Sequence, residues 1–109
     1  MDEILTMLAE IGLPYAYHHF AEGESPDPPF ICYLTPGSDN FAADGKVYYK
    51  IDEYHIELYT EVKSPTLEAE LEAVLDAHGI FYDKTEVWIE SEKLYEVLYQ
   101  FEMEGMNDA

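Results

Sequence analysis

The chain contains no arginine, and five lysines stand against 24 aspartates and glutamates. Arginine is the two-pronged grip for phosphate and carboxylate, and neutralising a nucleic-acid backbone takes clustered cations. Its absence argues against direct nucleic-acid recognition, phosphoryl transfer and attachment to an anionic membrane surface. Cysteine is almost missing as well. Cys32 stands alone, so no disulfide can close within the chain. It sits in the apolar run Phe30 to Leu34 with no cation nearby to activate it, and a buried structural thiol is expected. There is no basic start followed by a long apolar stretch and no run long enough to cross a bilayer, so synthesis in a reducing cytoplasm is expected. Glycine-rich phosphate loops, Gly-x-Ser-x-Gly and Cys-x-x-Cys are absent too.

What is present points to a folded unit. At 109 residues the chain has room for a single domain, residues 1–109, and for one core. Ten tyrosines, five phenylalanines and one tryptophan supply apolar surface enough to offset ordering entropy despite a net charge of −19. Such charge serves solubility first; its other uses are to repel a polyanion or to imitate one.

The elements follow from local chemistry. Ile4, Leu5, Leu8 and Ile11 fall at helical spacing from Asp2 to Ile11, with acids at the amino end and Gly12 and Pro14 as the stop. Tyr15 and Tyr17 alternate along a short strand. Residues 21–29 form a proline-rich acidic loop, and Phe30 to Thr35, apolar on both faces, reads as an inner strand. Pro36 to Gly45 reads as a second loop closed by the turn pair Asp44-Gly45. From Lys46 to Val62 runs a long strand whose apolar residues change face. Val47, Tyr49 and Ile51 share one side, and Tyr54, Ile56 and Leu58 share the other. Either a bulge near Asp52-Glu53 switches the faces or both faces are covered, the second by a neighbouring copy. Ser64-Pro65 caps a helix with an apolar stripe of Leu67, Leu71, Val74 and Leu75, with Glu68, Glu70, Glu72 and Asp76 toward water and Gly79 at its end. Phe81 to Ile89 reads as a strand. Leu94 to Met103 suits either a helix stripe of Leu94, Val97, Leu98 and Phe101 or a strand of Tyr95, Val97, Tyr99, Phe101 and Met103; its aromatic content and the short turn at Glu90 to Lys93 favour the hairpin strand. The fold class expected is α+β: a mainly antiparallel sheet of about four strands packed by two helices, in the order α-β-β-β-α-β-β.

No constellation announces a reaction. His18 and His19, as neighbours on a strand, would point to opposite faces and could not share a metal. His55 and His78 have no motif partner. Glu53 with Glu57, and Glu86 with Glu90, are spaced as a solvated sheet face is spaced. Asn40, Asp44 and Gly45 match three places of an EF-hand loop, but Ala42 and Ile51 stand where acids or their equivalents are required. No enzyme activity, cofactor, metal or catalytic residue is expected.

Three phrases carry a resemblance: LPYAYHHFAEGESPDPPFICYL at Leu13 to Leu34, YHIELYTE at Tyr54 to Glu61, and VWIESEKLYEVLYQFEM at Val87 to Met103. With the helix between them they cover nearly the whole chain. They resemble the tail-terminator or tail-completion proteins, also called minor structural proteins, of long non-contractile-tailed phages and Gram-positive prophages. The resemblance implies a virion part made in the host cytoplasm: a hexameric ring that caps the tail tube, with the tube protein and the head-completion or connector protein as partners. It implies contact with tube or connector through the loop that holds Phe41, with Asp39 and Asn40 beside it. Tyr48, Tyr54 and Trp88 are the candidates for contacts between copies. An acidic ring would let DNA pass without sticking. The alternative is an acidic DNA mimic that inhibits a nucleic-acid-binding enzyme; the charge alone suggests it.

Overall fold

Helix α1, Asp2–Ile11, turns its apolar stripe inward, with Ile4, Met7 and Leu8 fully buried. It stops at Gly12, whose φ of 82° is costly for a residue with a side chain. The computed structural model describes residues 2–38, 41–43 and 46–104, with side-chain detail for residues 3–38 and 50–104. Seven strands follow the first helix in chain order, with a second helix among them. They are β1 (Tyr15–Tyr17), β2 (Phe30–Ser38), β3 (Phe41–Ala43), β4 (Lys46–Tyr49), β5 (Ile51–Thr60), helix α2 (Pro65–Ala77), β6 (Tyr82–Ile89) and β7 (Leu94–Glu104).

The main sheet has five strands in the order β1-β2-β5-β7-β6, where about four were expected. With its two helices it keeps the expected order α-β-β-β-α-β-β; the hairpin β3-β4 is an addition inserted between β2 and β5. All pairings in the main sheet are antiparallel except the short β1 against β2, which is parallel. Strands β5 and β6 both run antiparallel to β7 and so run in the same direction, a relation that needs a crossover. Helix α2 supplies it.

The face change in the long strand has a local cause. Val47 and Tyr49 belong to β4, which pairs with β3 in a separate two-stranded ribbon. The main-sheet strand β5 starts afresh at Ile51, so the change of face coincides with the break at Lys50. Strand β5 itself is regular against β7 from Ile51 to Thr60. The irregularity expected near Asp52-Glu53 lies on the partner strand: Leu34 pairs with His55 and Gly37 with Glu53, so β2 carries an extra residue around Thr35-Pro36. A neighbouring copy is therefore not required to explain the pattern. Nor is Pro36 to Gly45 a loop throughout, since β2 runs to Ser38 and β3 begins at Phe41. Asp44-Gly45 lies outside the described residues.

Ser64 caps α2, its Oγ accepting the Leu67 N–H at 3.3 Å, and Leu71 and Leu75 are fully buried. Both helices lie on the same side of the sheet. There they meet Ile31 and Tyr33 of β2, Tyr54, Ile56 and Leu58 of β5, and Val97, Tyr99 and Phe101 of β7. A contact between the helices is pinned by His78 at the end of α2. Its Nε2 faces Glu10 Oε1 at 2.7 Å and its Nδ1 faces Glu3 Oε2 at 3.3 Å. Both nitrogens can donate only in the imidazolium, and the bonds to Glu10 and then Glu3 raise the His78 pKa.

A raised histidine pKa gives stability that is complete below the unfolded value and is lost as pH rises through the folded one. Urea midpoints measured from pH 6 to pH 9 should therefore fall more for the native chain than for His78→Asn. Parallel curves for the two would show that this link is energetically idle.

Candidate functional site

With both helices on one side, the other face of the sheet has no helix over it among the described residues. Strand alternation sends to this face Glu53, His55, Glu57 and Tyr59 from β5 and Glu96, Leu98, Gln100 and Glu102 from β7. Asp83, Thr85, Val87 and Ile89 arrive from β6, and Phe30, Cys32 and Leu34 from β2. The segment after β1 shelters one end. His18 takes a φ of 65° and turns the chain out of the strand, which lets Phe20 pack edge-on against Phe30. Phe30 in turn stacks on Tyr59 with ring centroids 5.1 Å apart. Beneath this segment lies a groove of about 260 Å³ lined by His18, His19, Phe20, Cys32, Tyr59 and Leu94. At the opposite end a cleft of about 570 Å³ runs between Glu53, Phe81, Asp83 and Gln100. Phe81 is 89% exposed beside it and Val87 51% exposed on the same face.

The chemistry of the face is carboxylate set among apolar groups. Tyr59 holds its hydroxyl 2.8 Å from Glu96 Oε2 and 3.2 Å from Glu57 Oε1. A phenol has one proton to donate, so the two acids share it. Burial, then the nearby Glu96 charge, raises the Glu57 pKa, and bonding to Tyr59 and the charges of His55 and His18 offset part of that. Burial together with Glu57 and Glu96 pushes the Cys32 thiol up to about 11, the inert state expected of it. His55 is bridged by Glu53 at 3.2 Å and Gln100 at 3.0 Å.

Lys63, Lys84 and Lys93 are engaged elsewhere. Lys84 projects on the helix side of β6, over the Tyr99 ring, and bonds Glu68 at 2.8 Å and Glu72 at 2.7 Å. Lys63 bonds Glu68 at 2.6 Å and Glu86 at 2.5 Å, and Lys93 pairs with Glu90. Glu68 was expected to face water; it is 4% exposed instead, because two lysines from outside the helix close over it. Burial alone would raise its pKa, but the bonds to Lys63 and Lys84 outweigh that and lower it. Glu72, also expected in water, accepts the Tyr99 hydroxyl at 2.7 Å. This strap of charge ties α2 to the edge strand β6.

The residues singled out from the sequence are scattered. Asp39 and Asn40 lie outside the described residues. The backbone of Phe41 pairs with that of Tyr49 in the β3-β4 ribbon. Ala42 pairs with Val47, which leaves Tyr48 as the bulged residue between the two pairs. The side chains of Phe41 and Tyr48 lie outside the side-chain detail. Tyr54 is a core residue, 2% exposed and stacked on Phe101, so it is turned toward the helices and not toward a neighbour. Trp88 is 44% exposed on the edge strand, its ring tilted against Tyr95 with centroids 4.7 Å apart and its Nε1 donating to Glu90 at 2.6 Å. His18 and His19 do not diverge as strand neighbours would, because the strand ends at Tyr17 and their Nδ1 atoms meet at 2.9 Å. The pairing of Glu57 with Glu96 could not be found by spacing along one strand; it is a cross-strand relation.

No family model matches the sequence, and no curated protein matches it. In structure the chain is similar to one from the virion of a native gene transfer agent particle. The TM-score is 0.60 at 13% identity, over 95% of this chain and 90% of the other. At that identity the likeness establishes a shared fold.

The two kinds of carboxylate should respond oppositely to neutralisation. Glu57 has a raised folded pKa, so charging it costs stability as pH rises past the unfolded value. Glu57→Gln should raise the melting temperature at pH 7, and the advantage should vanish below pH ~4, under the unfolded carboxylate range. Glu68 has a lowered pKa and contributes stability above that range, lost as pH falls through the folded value. Glu68→Gln should destabilise by about 1–3 kcal/mol at pH 7, since it removes the shared partner of two lysines. Thermal melts at both pH values check the pair; equal shifts of the same sign would contradict the division.

Proposed function

We propose that this chain is a structural, non-catalytic part of a phage-like virion. In that reading it caps the tail tube as a closed ring, six-membered in line with the resemblance, and joins it to the head connector. The observation that carries the reading is the fold shared over 95% of the chain with a protein of a gene transfer agent virion. The uncovered sheet face adds support, because an assembly part needs a surface its own fold leaves open. A heterologous contact that closes on itself gives a ring, and the free β6 edge with Trp88 is the place where copies would meet.

The β3-β4 ribbon has a role in the same reading. It sits beyond the last β2-β5 pair, Ser38 with Asp52, and forms its own two-stranded sheet. The 49 Å long axis of the molecule against 30 and 23 Å fits an arm at one end. Such an arm, carrying Phe41, is suited to reach tube or connector. A net charge of −19 per copy would line the ring's passage with acid and keep DNA from adhering.

Particles assembled without this chain should show tails of irregular length and filled heads left unjoined in electron micrographs. Phe41→Asp should keep a single cooperative thermal transition while reducing head-to-tail joining severalfold. Normal tails and normal joining in the deletion would overturn the reading. Normal joining in Phe41→Asp alone would remove only the arm from it.

A further inference from the structure

Charge is segregated between the two sides of this sheet. The uncovered face carries Glu53, Glu57, Asp83 and Glu96, and no described strand contributes a lysine to it. Three lysines are already engaged by carboxylates of the same chain: Lys63 and Lys84 at the α2 strap and Lys93 at the β6-β7 turn. A second copy offers this face chiefly more acid, and like charges set against each other cost free energy at an interface. Yet the face has the makings of a contact surface. Leu98 and Leu34 are half-buried at its middle, Val87 and Phe81 stand exposed, and the cleft beside Phe81 is walled by Glu53 and Asp83. An exposed phenyl ring beside carboxylates is a seat for a long cationic side chain, whose stem packs on the ring while its head meets the acids.

We propose that the uncovered sheet face is the docking site of a partner protein with a basic, partly aliphatic surface, and not of a second copy of this chain. Lysine or arginine heads of the partner lie over Glu53 and Asp83 at the cleft and over Glu57 and Glu96 at the centre. Its aliphatic groups cover Leu98 and Val87. Tyr59 holds the central acids in place while sharing one proton between them, so a partner cation supplies the donor the pair lacks. Copies of this chain meet at strand edges and leave the face free. The inference draws on the virion reading only for the setting in which the partner is met.

The test uses the intact chain labelled with nitrogen-15 and a synthetic peptide of alternating lysine and leucine as the probe. A matched glutamate-leucine peptide is the control. Amide shifts on adding the lysine peptide should concentrate on the Leu34, Leu98, Val87 and Asp83 regions, and weaken as salt rises from 50 to 300 mM. The Glu57→Gln/Glu96→Gln double variant, shown by its melt to be folded, should bind the peptide at least threefold more weakly. The glutamate peptide should not bind. Three results would overturn the proposal: shifts spread equally over the acids of α1 and α2, unchanged affinity in the double variant, or concentration-dependent broadening of the same face without peptide, which would make a second copy its occupant. Peptide binding on this face with normal tail lengths in particles lacking the chain would keep the docking site and discard the virion role; the reverse pair would do the opposite.

Discussion

Two helices of ten and thirteen residues on one side of a five-stranded sheet leave the other side without a helix among the described residues. Everything distinctive in this molecule follows from that arithmetic. Because α1 and α2 both pack over β5 and β7, the even-numbered residues of β5, from Tyr54 to Leu58, become core. The odd-numbered ones, Glu53, His55, Glu57 and Tyr59, are then sent to a face that, among the described residues, Phe20 and its neighbours shelter at one end. A hydrophobic core on one face and a half-polar open face is the usual antiparallel arrangement. Here the open face differs by carrying acids in groups, with histidines and no lysine contributed by the described strands.

The distribution of lysine makes the division sharper. A chain with so few cations has used Lys63 and Lys84 to close over Glu68 and bind the second helix to the edge strand. That arrangement steadies the crossover between β5 and β6, the least local connection in the sheet. It also commits both of these charges to carboxylates of the same chain. The stability of the helix layer and the acidity of the open face are two consequences of one allocation.

Much of the fold was legible along the chain because its signals are local. Ser64-Pro65 and the spacing of Leu67, Leu71 and Leu75 define α2 without help from other elements. The short turn and the aromatic alternation favour the β6-β7 hairpin over a helix from Leu94 to Met103, and the pairing of β7 with β5 and β6 settles it. The rest depended on contacts far apart in sequence. The burial of Glu68 is decided by Lys84, sixteen positions on, and spacing within a helix cannot report that. The break at Lys50 interrupts a run of strand-forming residues that looks continuous, since a separate ribbon and a main-sheet strand share the same composition. Tyr54 groups with Ile56 and Leu58 on one apolar side and is offered by the sequence as a contact between copies; the register against β7 places it beside Phe101 in the core. His18 and His19 were assigned to a strand that the positive φ of His18 ends one residue earlier. As for the open face, its residues were individually visible, but their grouping is set by the β5-β7 register.

The measurement that bears most directly on the account is carboxyl footprinting by mass spectrometry, comparing the free chain with the chain inside assembled particles. Glu53, Asp83 and Glu96 should label readily in the free chain and be protected in the particle, while Glu70 and Glu3 on the helix layer keep their reactivity. Equal labelling of the open face in both states, with protection confined to the helices, would contradict the claim that this face is where the molecule meets its partner.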